Sequence, residues 1–173
     1  MAVLSVRLYG DPVLRTVAEP VNAVTPEIKK IIGDLVDTMW HQVGIGLAAP
    51  QIGISLRLLV MDDGKGGART LINPVITERG GSVREEEGCL SLPGIFADVE
   101  RSKWVRVSAE DDEGRPVAFE AQGLQAKVIQ HEIDHLDGVL FIDRLPPVTR
   151  DRIKKRIQKE GLGKPTRHQA FAL

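Results

Sequence analysis

The amino-acid sequence predicts an α+β fold: a single compact domain in which mixed or antiparallel β-sheets surround a central helix that carries the pattern HExxH, with a further helix near the C-terminus. Strand-like and helix-like segments follow one another without the regular alternation of βαβ units. The length of 173 residues is that of one ordinary domain, and 42% apolar with 27% charged residues is a globular composition. A chain of this length can bury a core without disulfides.

The first helix is predicted to begin at Pro26, because Thr25 is a favourable N-cap and proline fits the first helical position. Apolar residues then recur at helical spacing on one face: Ile28, Ile31, Ile32, Leu35, Val36, Met39 and Val43. We expect Gly44 to end this helix, and Trp40 and His41 to take part in its ordinary packing.

Four strands are predicted in the middle of the chain from short apolar or alternating runs that turn residues separate. They span residues 56–62, 70–77, 104–108 and 116–120. The first two are joined by the glycine-rich turn at residues 63–67, and Pro74 interrupts the second strand. A hairpin turn at residues 111–114 joins the last two.

Two more helices are predicted in the last third of the chain. The second helix spans residues 123–136 and ends at Asp137-Gly138. Residues 139–142 are expected to form a short strand or an extended segment. Pro146-Pro147 then breaks the chain before a third helix over residues 148–160.

The second helix carries the pattern HExxH as His131, Glu132 and His135. Residues i and i+4 lie one above the other on the same face of a helix, so the two imidazoles can hold one divalent ion. Glu132 can then reach a water molecule at that ion without being a ligand, as in metal-dependent hydrolases. The alternative is a pair of solvated histidines.

A tetrahedral catalytic site needs a third protein ligand and one open position. The only cysteine, Cys89, can supply a thiolate, and Gly88 beside it lets the backbone approach closely. Such a ligand set suits Fe(II), Zn or Co(II). Asp143, Glu160 and His168 are the downstream alternatives.

Residues 44–51 (GIGLAAPQ) form a third unusual segment, because small residues let a backbone lie close to a ligand or to another strand. A tight packing corner is the alternative interpretation. Gln51 at its end can donate a hydrogen bond to a developing oxyanion.

Three segments together resemble, in order and spacing, the signature motifs of peptide deformylases: residues 44–51 (GIGLAAPQ), 87–91 (EGCLS) and 130–136 (QHEIDHL). Residues 9–15 (YGDPVLR) and Asn73-Pro74 are also similar to that family. The resemblance covers roughly residues 4–157. It implies a catalytic domain over residues 1–146, on which a basic C-terminal helix and tail, residues 147–173, are packed.

The resemblance implies a metal-dependent hydrolase that removes the formyl group from the formyl-methionine of nascent polypeptides and releases formate. The metal ligands would be Cys89, His131 and His135. Fe²⁺ would be the native ion, with Zn²⁺, Ni²⁺ or Co²⁺ as substitutes. Glu132 would be the general base.

The resemblance also implies which groups contact the substrate. The backbone N–H of Leu90 and the side chain of Gln51 would face the formyl oxygen. Gly46 would present backbone groups to the peptide. The methionine pocket region would be formed by Ile45, Glu87, Leu124 and Val128.

Four polar residues near these motifs carry further expectations. Glu87 is expected to pair with Arg101, with an exposed acid as the alternative. Asp134 is offset around the helix by about 60° from His131 and about 100° from His135, so a structural hydrogen-bonding role is expected rather than a ligand role. Lys127 lies one turn before His131 and is expected to be an exposed charge at the rim, with a pocket wall made by its alkyl stem as the alternative. Gln125 is expected toward the outer side of the helix.

The charge distribution is asymmetric. Residues 144–173 carry a net charge of +7 and the rest of the chain −8, although the whole chain carries only −1. The resemblance gives the basic helix a function, which is contact with ribosomal RNA through Lys154, Lys155, Arg156 and Lys159. A solvated helix face is the alternative.

The sequence favours a monomer in the bacterial cytoplasm. Residues 2–20 have the features of neither a signal peptide nor a transit peptide. The most apolar stretch, residues 44–61, is interrupted by polar residues and proline, so no membrane span is expected. Two other functions stay open: another HExxH metallopeptidase with a downstream ligand, and a non-catalytic ribosome-associated protein with a structural metal. A structural site would have no need of Glu132.

Overall fold

The structure is a computed structural model that describes residues 1–164, and it has the predicted α+β fold. Its helices are α1 (Pro26–His41), α2 (Gly123–Leu136) and α3 (Pro147–Glu160). Its strands are β1 (Gly46–Ala48), β2 (Leu58–Asp62), β3 (Ala68–Gly80), β4 (Val83–Cys89), β5 (Leu92–Arg101), β6 (Trp104–Glu110) and β7 (Pro116–Gln122). Short 3₁₀ helices occur at Pro12–Arg15, Ala49–Ile52 and Phe141–Arg144.

The strands form two separate antiparallel sheets. One has five strands in the order β1-β2-β3-β6-β7, and the other is the two-stranded pair β4-β5. The second sheet shares no ladder with the first, but two-residue links join β3 to β4 and β5 to β6, so the main chain connects the two sheets directly.

The five-stranded sheet is covered by a helix on each face. Alternate residues of β2 point to opposite faces. Leu58 and Val60 pack with residues of α1, whereas Leu59 packs with residues of α2. Burial on both faces explains why β2 is an uninterrupted apolar run.

The helix α3 lies on a third cluster, which contains Cys89 and Phe141 and therefore adjoins β4. It packs there through Ile153 and Ile157, which are partly buried. Residues 165–173 of the expected tail lie outside the described residues. No helix within residues 1–164 is long and apolar enough to cross a membrane.

Several predicted elements differ from the structure. The β4-β5 pair and the three-residue strand β1 were absent from the prediction. Residues 139–142, expected to be extended, lead instead into the 3₁₀ helix Phe141–Arg144. The strand β3 continues through Pro74 and is longer than predicted. Its ladder shifts register between Ile72 and Val75, where Asn73 has a positive φ of 50°.

The helices α1 and α2 end in the same hydrogen-bonded motif. In α2 the left-handed residue is Gly138, with a φ of 72°, and Val139 N–H donates to the Asp134 carbonyl. In α1 the helix ends earlier than expected, and Val43 takes the left-handed position with a φ of 57° while Gly44 N–H donates to the Met39 carbonyl. A β-branched residue in this conformation is strained. Trp40 and His41, expected in the packing, are exposed.

Val43→Asn is expected to stabilise the protein by about 1 kcal/mol, because asparagine adopts the left-handed conformation at lower cost than valine. The measurement is the thermal midpoint Tm, which should rise by about 2–4 °C for that free energy.

Val17 is the matched control, since it is also exposed and has no positive φ. Val17→Asn should change the free energy of unfolding by less than about 0.5 kcal/mol. An equal or lower Tm for Val43→Asn would show that Val43 is not strained.

Candidate active site

The three sequence-predicted metal ligands meet between α2 and the end of β4. Cys89 Sγ lies 3.3 Å from His135 Nε2, and one ligand atom each of Cys89, His131 and His135 lie within 4.8 Å of one another. All three side chains are 1–2% exposed. Two ligands of one tetrahedral ion, with bonds of about 2.0 and 2.3 Å, would be about 3.6 Å apart. The geometry therefore fits a shared ion.

The chain around Cys89 is bent so that its sulfur turns toward α2. The register of the β4-β5 pair shifts between Gly88 and Cys89, as at a β-bulge, which re-aims side chains. A Cβ atom on Gly88 would lie 2.5 Å from the ring of Phe96 on the opposite strand. Glycine is required here because the aromatic ring covers the backbone.

Buried polar atoms without a hydrogen-bond partner in the described part of the chain point to the same place. They are His131 Nε2, His135 Nδ1, both carboxylate oxygens of Glu132, and, away from the site, Ser55 Oγ. A buried polar group with no partner is costly, so such groups mark where a ligand belongs. The residues present fit a divalent cation beside a free carboxylate.

The downstream alternatives for a third ligand do not join this group. The Asp143 carboxylate accepts hydrogen bonds from Arg15 and from the Leu140 N–H. Glu160 is exposed near the end of α3, and His168 lies outside the described residues. Cys89 is thus the third member of the cluster that the structure describes.

The protonation states of the isolated groups follow from burial. Burial raises the pKa of the Cys89 thiol. It also lowers the pKa of His135 well below its ordinary value, so the imidazole is neutral, as a metal ligand must be. Burial, and secondly the negative charge of Glu87, raise the pKa of Glu132 well above its ordinary value. A bound cation would favour the ionised thiolate and carboxylate instead.

A buried chain of charges orients His131 from behind. His131 Nδ1 donates to Glu87 over 2.9 Å, which leaves Nε2 as the nitrogen with a free lone pair. Arg101 donates to Glu87 over 2.9 and 3.0 Å and to Asp134 over 2.7 Å. Arg144 then donates to Asp134. Burial by itself would raise the pKa of Glu87, but the hydrogen bonds from His131 and Arg101 outweigh it and bring that pKa to about 2.

These hydrogen bonds confirm the expected Glu87–Arg101 pair and the hydrogen-bonding role of Asp134. It also corrects one expectation for Glu87. The carboxylate is fully buried and occupied by Arg101 and His131. Glu87 therefore supports a candidate ligand and is not among the residues that line the pocket described below.

The side chain of Gln51 is buried beside the sulfur. Its Oε1 accepts from the Ala48 N–H over 3.0 Å, so the amide orientation is fixed. Its Nε2 lies 3.1 Å from Ser91 Oγ and 3.7 Å from Cys89 Sγ. The structure thus brings the donor of Gln51 to the segment that contains Leu90.

A cavity of about 140 Å³ reaches Val128, one helical turn before Glu132 on α2. It is lined by Ile45, Met61, Asp62, Gly64, Leu124, Gln125 and Val128. Gly46 lies against Glu132 and against the lining residue Val128, since a Cβ atom on it would lie 2.7 Å from Glu132 Oε1 and 2.8 Å from a methyl group of Val128.

Sequence reasoning found three of these lining residues, Ile45, Leu124 and Val128. It missed those at the end of β2 and in the following turn, because nothing in their local pattern shows which helix they face. Gln125, expected on the outer side of α2, lines the cavity.

Comparison with protein families shows to which family the chain belongs. The family model described as polypeptide deformylase matches residues 3–151. The chain belongs to the polypeptide deformylase family. A peptide deformylase from Alkalilimnicola ehrlichii is 49% identical over 162 residues, which cover 92% of this chain and 91% of that protein. The crystal structure of peptide deformylase from Thermus thermophilus is 47% identical, with a TM-score of 0.86 over 91% of this chain and 95% of that one. That of Ehrlichia chaffeensis in complex with actinonin is 38% identical, with a TM-score of 0.85 over 92% and 99%.

Membership of the polypeptide deformylase family confirms the predicted function. The protein is a hydrolase of the class that removes the N-formyl group from nascent polypeptides. It sets aside both alternatives, another HExxH metallopeptidase and a non-catalytic protein with a structural metal. The deformylase family is metal-dependent, and Cys89, His131 and His135 form the candidate site for that metal.

Arg101→Met is expected to lower the free energy of unfolding by about 3–5 kcal/mol, because it leaves the Glu87 carboxylate buried without its charged partner. The measurement is urea unfolding of the metal-free protein.

Arg106→Met is the matched control, since Arg106 pairs with Glu78 and Glu120 while its side chain is half exposed. A loss below about 1 kcal/mol is expected there. If both variants lose the same free energy of unfolding, the buried Arg101 ion pairs contribute no more to stability than a surface ion pair.

Proposed function

We propose that this protein deformylates nascent chains at the Cys89–His131–His135 cluster, with Glu132 as the general base. One observation carries this assignment: the buried thiol and imidazoles converge within 4.8 Å beside a carboxylate that has no partner in the described part of the chain. Cys89, His131 and His135 would hold one divalent cation, Fe²⁺ in the native enzyme, with Zn²⁺, Ni²⁺ or Co²⁺ as substitutes. Such a cation supplies Lewis-acid activation of water and of the formyl carbonyl.

Glu132 moves the proton. Its carboxylate is fully buried, has no competing hydrogen bond among the described residues, and lies one position from His131 on α2. It takes a proton from the attacking water and delivers it to the amine that leaves when the formyl C–N bond breaks. The formyl carbon leaves as formate and the peptide keeps a free amino terminus.

Gln51 and Leu90 would stabilise the oxyanion that forms on the formyl oxygen. The Ala48 N–H fixes the Gln51 amide so that Nε2 is its donor on the side of Cys89. Leu90 follows Cys89 in the chain, so its backbone N–H is available beside the sulfur. Removal of one such donor costs about 2.7–4 kcal/mol of transition-state stabilisation.

The substrate peptide would bind along β1. This strand is at one edge of the five-stranded sheet, and among residues 1–164 it pairs with β2 alone, so an extended peptide can add to its other edge. Gly46 in this strand has no side chain to obstruct Glu132. The methionine side chain would then enter the cavity beside it, between Ile45, Leu124 and Val128.

Glu132→Gln is expected to lower formate release from formyl-Met-Ala by a factor of about 10²–10⁴, because the amide cannot accept the proton. The assay is done anaerobically on Fe²⁺-loaded protein, and metal analysis should show one ion per chain in the variant, as in wild type.

Glu113→Gln is the control, since Glu113 is an exposed glutamate that pairs with Lys29. It should retain full activity. Normal turnover by Glu132→Gln with a full metal content would remove Glu132 from the reaction.

We also propose that α3 contacts ribosomal RNA. The helix turns Ile153 and Ile157 inward and leaves its basic residues exposed, Lys154, Lys155, Arg156 and Lys159. This arrangement suits an enzyme whose substrates are emerging chains. A monomer in the bacterial cytoplasm is part of this proposal, because nascent formylated chains are made there.

Replacement of these four basic residues by glutamine is expected to weaken co-sedimentation with ribosomes, and to reduce its dependence on salt, because fewer counterions are released on binding. The measurement is the bound fraction as a function of salt concentration.

The control replaces four basic residues outside α3 by glutamine: Lys29, Lys65, Lys103 and Arg115. The overall change in net charge is then the same. Equal losses for both variants would indicate general electrostatic attraction without a role for α3.

A further inference from the structure

Cys89 belongs to a different structural unit from the two histidines of the candidate site. His131 and His135 lie on α2, whereas Cys89 ends β4 in the separate two-stranded sheet. No strand pairing in the described chain connects that sheet to the five-stranded one. Two-residue links join β3 to β4 and β5 to β6, and Tyr9 N–H donates to the Ser91 carbonyl, so the main chain restrains β4 from these sides. A contact between β4 and α2 is what then sets the distance between the sulfur and the imidazoles.

Lys127 makes such a connection, contrary to its expected place at the exposed rim. It lies on α2 one turn before His131 and is only 7% exposed. Its Nζ donates to the backbone carbonyl of Glu86 over 2.5 Å and lies 3.8 Å from the half-exposed carboxylate of Glu85. The ammonium is thus bound to the main chain of β4, three residues before Cys89.

A buried ammonium is costly unless it is well paired, so an apolar side chain would fill this position at lower cost. What lysine adds is a directed bond from the ligand helix to the backbone of the ligand strand. The segment that follows, Gly88-Cys89, is a bulge at a glycine, where the ladder with β5 shifts register. A strand interrupted in this way needs an anchor close to the bend.

We propose that Lys127 is a positioning residue, whose bond to the Glu86 carbonyl sets the distance of the Cys89 sulfur from the imidazoles of His131 and His135. The second anchor on β4 is the Glu87 carboxylate, which His131 and Arg101 hold. That anchor acts through a side chain, whereas Lys127 fixes the backbone itself. The proposal rests on the function proposed above, because it assumes that Cys89 and the two histidines hold one ion.

The experiment uses full-length protein loaded with Co²⁺, whose thiolate-to-cobalt charge-transfer band reports the cobalt–sulfur bond. Lys127→Met keeps the alkyl stem and removes the donor, and Lys127→Arg restores a cationic donor. Lys29→Met is the matched control, since Lys29 pairs with Glu113 on the surface. Lys127→Leu, which also lacks a donor, replaces Lys127→Met if the latter does not fold.

For Lys127→Met we expect a weaker or shifted charge-transfer band and about 10-fold faster release of Co²⁺ to a chelator. Loss of a residue that holds a metal ligand in place typically weakens metal binding by about 10-fold or more. Lys127→Arg and Lys29→Met should keep the wild-type band and release rate. A purely structural role would lower Tm while leaving the band unchanged, and that result would overturn the proposal. So would a release rate within twofold of wild type.

The two proposals fail differently. If wild-type protein binds Co²⁺ without any thiolate band, Cys89 is not a ligand. That result would refute both the proposed active site and the role of Lys127. If wild type shows the band and Lys127→Met shows the same one, only the role of Lys127 falls.

Discussion

The structure depends on the burial of α2, a helix that carries both the candidate metal ligands and the residues that hold them. Residues 126–136 are all buried, although six of them are charged or polar or are histidines: Lys127, Gln130, His131, Glu132, Asp134 and His135. A buried polar group must find a partner. Gln130 bonds the backbone of Ser102, Asp134 bonds two arginines, and Lys127 bonds Glu86. The side chains of α2 that keep an atom without a partner in the described chain are His131, Glu132 and His135, which are those assigned to the metal and the proton transfer.

This arrangement places the proposed active site where three units meet. The five-stranded sheet contributes its edge strand β1, whose glycine leaves space beside Glu132. The β4-β5 pair contributes the thiol, and α2 between them contributes the imidazoles and the carboxylate. Side-chain hydrogen bonds of Lys127, Arg101 and Gln130 connect α2 with β4 and β5 or with the residue that follows β5.

The sequence predicted what is encoded locally and missed what depends on distant partners. Apolar periodicity predicted α1, the stop at Asp137-Gly138 marked the end of α2, and the spacing of His131 and His135 indicated two candidate ligands. The β4 strand was missed because a run of three glutamates shows no alternation. Within that run, only Glu87 is fully buried, since its partner Arg101 lies 14 residues further along the chain. Lys127 was expected to be exposed for the same reason, because its partner is a main-chain carbonyl that no sequence pattern reveals.

The burial of α2 has a consequence for motion. Amide hydrogens in such a helix exchange with solvent only when the molecule opens as a whole, whereas exposed helices fray locally. His131 and His135 therefore cannot separate by local fraying. Deuterium uptake should be slower in α2 than in α3, in which no residue is buried.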